Sequence, residues 1–451
     1  MRYLVILLLA AGTLMGQASA DSSTAVIRQI YNEALTEQYT YQWLKRLTAM
    51  GPRFAGSEQA TESVLWLKEL CDSLGFETAL QKVKVPHWVR GPEQAAFYRL
   101  KGSKKELRFT ALGGSVPTNG WLEAPVVEVP NFEALDSLDL EGKIAFFNIP
   151  MDPTFINTGF AYGQAVKQRW VGAVEASRRG AVGVVIRSLS SSINDYPHTG
   201  SMTYQDAPKK IPAGAISTLG AEQLSRVLAE NPDLKLSFRI NSEWRDSSYS
   251  YNLIADLRQN NRNEFILISG HIDSWELGTG AHDDGAGSMH ALASAFLLKK
   301  LAVPVESNLR VVFFMNEEFG LTGAKTYAQK VDSAGVKHIV AIESDGGGFS
   351  PRGLSTVAPT EIQEEIRSFR KFLEPYGIHR FSSRGSGADI SQLKDPKVIR
   401  IGLRPDSHRY FEVHHSERDV IEEVNTRELE MGSATLAALI YLLDKNRVIW
   451  E

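Results

Sequence analysis

From Asn252 to the end of the chain, strand-like runs alternate with helix-like runs. "EFILISG" precedes "GAGSMHALASAFLLKK", "LRVVFFM" precedes "TGAKTYAQKV", "HIVAIES" precedes "TEIQEEIRSFRKFLEPYG", and "KVIRIGL" precedes "TRELEMGSATLAALIYLLDKN". This alternation predicts an α/β fold, a three-layer sandwich with a mostly parallel central sheet. In such sheets ligands gather beyond the carboxyl ends of the strands.

The 451 residues suggest two or three domains, or one large domain with an insertion. Residues 24–50 read as helix. "ESVLWLKELCDSLGF" reads as a second, with Val64, Leu65, Leu67, Leu70 and Leu74 near the 3.6-residue period and Gly75 as its stop. "ETALQKVKV" alternates as a strand does, and short strands and turns follow over 92–128. Between Val126 and Ser242 the texture changes. "GKIAFFNIP" and "GAVGVVIR" are short buried strands, "YGQAVKQRWVGAVEASRRG" between them is helical, and no His/Asp/Glu cluster is present. The expected organisation is a leader at 1–20, a first catalytic part at 21–125, an insertion at 126–242 and a second catalytic part at 243–451.

The leader expectation rests on "MRYLVILLLAAGTLMGQASADSS": one Arg, an apolar run too short to span a bilayer comfortably, then Ala18–Ala20 as an A-x-A cleavage site. It implies export to the periplasm or the medium, with no stable membrane insertion after cleavage. The single cysteine, Cys71, cannot form an internal disulfide and reads as a small buried residue. Hydrophobic residues at 43%, charged residues at 23% and a net charge of −4 describe a soluble globular protein and argue against nucleic acid as a partner.

The polar residues at the strand ends carry the chemistry. His271 and Asp273 follow "EFILISG", and Asp283 and Asp284 come just before the next helix. Glu317 and Glu318 follow "LRVVFFMN", Asp345 follows "HIVAIES", and His414 and His415 lie after the last strand. Carboxylates gathered at one sheet edge repel one another unless a cation neutralises them. A His/carboxylate set suits zinc, and this many anionic ligands suit two metals better than one. A dinucleotide loop fails in "GTGAHDDGAG" because Asp283 stands where the third glycine belongs, and the EF-hand pattern is absent.

"GHIDSW", "GAHDDGAG", "NEEFGLTGA", "ESDGGG" and "HHSERD", in this order, resemble the co-catalytic zinc peptidases, the family of aminopeptidase S and the glutamate carboxypeptidases. "GPRFAGS", "GAVEASRRGAVGVVIRS", "PHTG", "YQDAPKKIPAGAIS" and "SGADI" look like its carboxypeptidase Q branch. The resemblance covers nearly all of the chain after the leader. It implies a zinc-exopeptidase fold of the phosphorylase/hydrolase-like kind, with a protease-associated-type inserted domain and two Zn2+ per chain. His271 and Asp345 would bind one zinc, Glu318 and His415 the other, and Asp283 would bridge them. Asp273 would hold His271 through its second ring nitrogen. Glu317 would be the general base for a metal-bridging hydroxide. Asp284 would shape a turn entered through a cis peptide. A homodimer is implied by the same branch.

Many relatives carry Tyr where this chain has His414, which is expected to support the transition state or the substrate carboxylate. His282 is expected to be a solvated loop residue or to line the entrance, and His290 to pack within its helix. Ser386, Gly387 and Asp389 form a loop suited to substrate termini, and Trp275 and Glu276 are expected at the pocket rim. The leading expectation is an exported di-zinc exopeptidase acting on dipeptides or short peptides. The alternatives are an aminopeptidase on longer peptides, or a non-catalytic binding protein on the same fold. Manganese or cobalt would also suit these ligands.

Overall fold

Seven consecutive buried residues, Asn308–Phe314, form a strand inside an eight-stranded sheet. Such a run needs apolar cover on both faces. Val311 and Phe313 face one core with Ile266 and Ile268, which also holds Met289, Leu292, Leu436 and Leu439 of the helices Ala286–Lys300 and Thr426–Lys445. Val312, Phe314 and Leu267 face another, against Tyr327, Ala328 and Val331 of the helix Thr322–Ala334. This is a computed structural model, and it describes residues 22–92, 94–446 and 448. The leader expected at 1–20 lies outside the described residues.

The strand order of this sheet is Glu77–Val89, Glu243–Leu257, Asn308–Phe314, Glu264–His271, Lys337–Glu343, Ile399–Pro405, Pro351–Val357, Arg380–Ser382. The four from Asn308–Phe314 to Ile399–Pro405 run parallel. The long pair Glu77–Val89 and Glu243–Leu257, and Pro351–Val357 beside Ile399–Pro405, are antiparallel. The sheet is therefore mixed: its parallel centre matches the expectation, and its flanks do not. One of the parallel centre strands, Glu264–His271, together with the segments after all four, carries every expected ligand at one edge.

A second eight-stranded mixed sheet has the order Ser103–Leu107, Gln94–Leu100, Lys235–Ile240, Leu122–Val129, Ile144–Phe147, Gly183–Arg187, Ala213–Ile216, Phe109–Ala111. Several of its strands lie before residue 126, because Gln94–Leu100 pairs with Lys235–Ile240 and Phe109–Ala111 with Ala213–Ile216. These partners are more than a hundred residues away, so a local reading of 92–125 does not find them.

Two helical expectations break. Residues 24–50 form helices 22–37 and Tyr39–Thr48, with Gln38 left-handed at φ 57° between them. The segment from Tyr162 to Gly180 breaks into Thr158–Ala165, Lys167–Trp170 and Gly172–Ser177. Arg169 lies in the middle of these three pieces.

Candidate metal centre

The strand Glu264–His271 delivers His271 at its carboxyl end, 1% exposed. Its Nδ1 donates to the main-chain carbonyl of Asp273 at 3.0 Å, which leaves the Nε2 lone pair facing the site. The Asp273 carboxylate stands 3.8 Å from that nitrogen. It accepts instead from the Glu317 and Glu318 amides at 3.1 and 3.3 Å. Asp273 thus orients His271 through its backbone and fixes the Glu317–Glu318 loop through its side chain, where a carboxylate contact to the ring was expected. Asn316, just before that loop, is held left-handed at φ 68°, a conformation retained where surroundings over-determine it.

Asp283 is the centre of the cluster. Oδ1 lies 3.2 Å from His271 Nε2, and Oδ2 lies 3.1 Å from His415 Nε2. Asp345 Oδ1 is 3.8 Å from His271 Nε2, and Glu318 Oε2 is 3.0 Å from His415 Nε2. Among the described residues, His271, Asp283 and Asp345 form one group of converging ligand atoms, and Asp283, His414 and His415 another, with Asp283 shared. The Asp283–Asp284 peptide is cis. Asp284 accepts from the His271 amide at 3.1 Å and from the Gly287 amide at 3.0 Å, so it ties the strand end to the helix start. That approach needs glycine at 270, where a Cβ would stand 2.6 Å from Asp284 Oδ2.

This donor set fits metal ions. Tetrahedral bonds of 2.0–2.1 Å place neighbouring ligand atoms about 3.3 Å apart. The separations of 3.0–3.8 Å across this cluster bracket that value. His415 Nδ1 donates to the Thr199 carbonyl at 3.3 Å, so its Nε2 is also the free ligand atom. Glu318 Oε1 is buried without a hydrogen-bond partner. Burial and the nearby Asp283 carboxylate push Glu318 up to about 7. Burial with Asp345, Glu318 and Asp273 around it holds Glu317 well above the carboxylate range. Burial alone would lower His415, but Glu318 and Asp283 push it up to about 10. Excess negative charge at a buried point is relieved by cations.

The model of peptidase family M28 matches residues 252–440, the part that carries these ligands. Carboxypeptidase Q of Mus musculus is 30% identical over 427 residues, 93% of this chain and 89% of its own length. The chain belongs to peptidase family M28. It is accordingly a metallopeptidase. The crystal structure of a peptidase M28 precursor from Shewanella amazonensis SB2B matches with a TM-score of 0.88 at 34% identity, covering 94% of this chain and 96% of that one. A zinc aminopeptidase from Bacillus subtilis shares the fold at a TM-score of 0.64 and 21% identity, covering 89% and 94%.

Several residues of this M28 peptidase that shape the centre were not foreseen. Asp419 accepts from the His282 and Asp283 amides at 2.6 and 3.1 Å and so sets the backbone of the shared ligand. It lies in "HHSERD", where the sequence pattern singles out the histidines. Arg53, fully buried, donates to the carbonyls of Ile272, Thr279 and Gly280 at 2.7, 2.5 and 2.9 Å. It clamps both ends of the loop between His271 and Asp283. From the second sheet's unit come Thr199, the acceptor for His415, and Arg169. Arg169 is 7% exposed, its Nε has no hydrogen-bond partner, and its Nη1 lies 3.3 Å from His415 Nδ1, the nitrogen that also faces the Thr199 carbonyl. Among the described residues it pairs with no carboxylate.

The peripheral expectations fare unevenly. Trp275 is buried at 3% exposure and donates to Glu318 Oε2 at 2.6 Å, so it supports a ligand and does not form a rim. Glu276 pairs with Arg90 at 2.5 Å. His282 is fully buried, stacked on Phe349 at 4.2 Å, with Nδ1 accepting from the Gly348 amide at 3.1 Å. It is neither solvated nor at an entrance. His290 packs as expected and donates to the Leu429 carbonyl at 2.9 Å. His414 stacks on His415 at 3.5 Å, with Nε2 3.5 Å from Asp283 Oδ2 and Nδ1 buried without a partner. Burial and the adjacent His415 hold it well below the usual histidine value.

Proposed function

We propose that this peptidase is a di-zinc exopeptidase that cleaves dipeptides and short peptides bearing a free carboxyl terminus. His271 and Asp345 would hold one zinc and Glu318 and His415 the other, with Asp283 shared between the two. The bridging role is supported by the opposed contacts of its two oxygens. Zinc, when bound, lowers the pKa of a water molecule towards ~7 and polarises the scissile carbonyl. Glu317 takes the proton of the attacking water as the C–O bond forms, and returns it to the leaving nitrogen as the C–N bond breaks. His414, kept neutral, donates an N–H to the developing oxyanion. The second sheet's unit acts as a protease-associated-type insertion on a three-layer catalytic body, and the leader at 1–20 directs export.

The observation that carries the preference for a free carboxylate is Arg169. A buried guanidinium without a carboxylate partner is rare in a folded protein. Arg169 stands beside the His415 ligand, where the leaving half of a peptide would lie. A terminal carboxylate there would meet a planar donor pair suited to it. The test compares a dipeptide with its carboxyl-amidated form. Amidation is expected to lower kcat/KM by about 30-fold or more, the scale of breaking one buried charge pair. Arg169→Gln should remove most of that preference. Equal rates on the two substrates would refute the carboxylate role and favour an aminopeptidase acting on longer peptides.

A further inference from the structure

On the other side of the metal ligands from Arg169, a cavity of about 300 Å3 opens beside Asp345. Its walls are the loop Gly385–Ala388, Leu403 and Arg404, with Glu343 and Asp345. Glu343 ends the strand Lys337–Glu343 and is 1% exposed. Its Oε2 accepts from the Ile390 amide at 2.8 Å, and its Oε1 has no partner. Asp389, 2% exposed, also has an unpartnered oxygen, Oδ1. No Lys, Arg or His among the described residues forms an ion pair with either carboxyl group. Arg404, the one cation on the cavity wall, turns its Nε to Ser355 Oγ at 2.8 Å. The loop is pressed onto Glu343 so closely that a Cβ at Gly387 would overlap its carboxylate.

Two buried carboxyl groups, each with an unpartnered oxygen and neither in an ion pair, outnumber the single Arg404 on the cavity wall and favour a cationic ligand there. The cavity shares Asp345 with the metal ligands. With the carboxyl-terminal half of a peptide at Arg169, a scissile carbonyl at the metals leaves the residue on its amino side towards this cavity. In a dipeptide that residue carries the free α-ammonium group. We propose that Glu343, with Asp389 beside it, binds the α-ammonium of the residue on the amino side of the scissile bond. This rests on the peptidase reading above and deepens it. Carboxylates would bind the substrate's ammonium at one end of the metal pair, and Arg169 its carboxylate at the other.

The test uses the zinc-loaded full chain with a dipeptide and its N-acetylated form. The wild type is expected to prefer the free dipeptide by about 30-fold or more in kcat/KM. Glu343→Gln should lower kcat/KM on the free dipeptide by a similar factor, chiefly through KM. The same variant should leave the rate on the N-acetyl dipeptide and the zinc content unchanged. Equal wild-type rates on the two substrates would overturn the ammonium site while leaving the peptidase reading standing, and no cleavage of either would overturn the peptidase reading itself. A Glu343→Gln variant that loses both rates equally, or that loses a third bound metal, would also overturn the proposal. The wild-type comparison decides the matter even if the variant fails to fold.

Discussion

Arg53 offers a perturbation whose size can be worked out from its contacts. Replacing it by Met keeps most of the side-chain volume and removes every donor. The carbonyls of Ile272, Thr279 and Gly280 would lose the guanidinium. At about 2 kcal/mol for each buried carbonyl left unpaired, the loss is roughly 6 kcal/mol. Against this stands the desolvation of the guanidinium itself. Burial pushes Arg53 down to about 10, and the carboxylates of Asp419 and Asp273 only partly offset it. That depression corresponds to about 3 kcal/mol against the charged form, which Met does not incur. The net destabilisation is then about 3 kcal/mol. The larger consequence is for the metal, because the loop Arg53 clamps sets the distance from His271 to Asp283. Loss of a group that orients metal ligands typically costs about 10–100-fold in affinity. Arg53→Lys should behave almost as badly, since one ammonium cannot reach the three carbonyls together. Competition against a chromogenic chelator measures the affinity, and thermal unfolding the stability. A fully folded Arg53→Met protein with wild-type zinc affinity and turnover would refute the clamp.

Other outcomes follow from the same contacts. Trp275→Phe removes the only hydrogen bond among the described residues to Glu318 Oε2 from a side chain other than His415, and should weaken zinc binding by about 10-fold with little change in unfolding temperature; unchanged affinity would show that the indole serves packing alone. Burial and neighbouring carboxylates hold Glu318, Glu343 and Asp419 up to about 7. Their unfolded values lie near 4, so these groups bind more protons in the native metal-free chain between about pH 4 and 7, and the stability they contribute falls as pH rises through that window. Asp283, held well below the usual value by His271 and His415 despite burial, and His198, His282, His290, His338 and His414, all lowered by burial, work in the opposite sense. Zinc displaces protons from the clustered carboxyl groups, so it should raise the melting temperature of chelator-treated protein more at pH 7.5 than at pH 5.5. An equal or larger gain at pH 5.5 would contradict the carboxylate clustering.

The candidate ligands were legible because each follows a strand or opens a helix, and a parallel sheet centre aligns those ends at one edge. Topology alone gathers His271, Asp273, Asp283, Asp284, Glu317, Glu318, Asp345, His414 and His415 there, and the family resemblance singles out His271, Asp283, Glu318, Asp345 and His415 among them. What orients them was hidden. Arg53 acts on carbonyls more than two hundred residues away, and Asp419 on amides more than a hundred away. Neither contact leaves a local pattern. Thr199 and Arg169 belong to a second sheet whose early strands pair only with distant partners. The strand Pro351–Val357 leaves no strand signature in the sequence because its proline and glycine interrupt any alternation. His282 was misplaced for a related reason. A histidine between glycines and aspartates reads as solvated, and only the Phe349 ring stacked on it shows otherwise.

The central claim is that Asp283 joins two metal positions and that Glu317 moves the proton without holding either metal. Glu317→Gln tests both parts in one preparation. The account predicts two zinc ions per chain in wild type and in the variant, with turnover of a dipeptide reduced by at least about 100-fold in the variant, the scale of losing a general base. A variant that binds two zinc ions and retains near-normal turnover would contradict the role of Glu317, and a wild-type protein that holds only one would contradict the bridge.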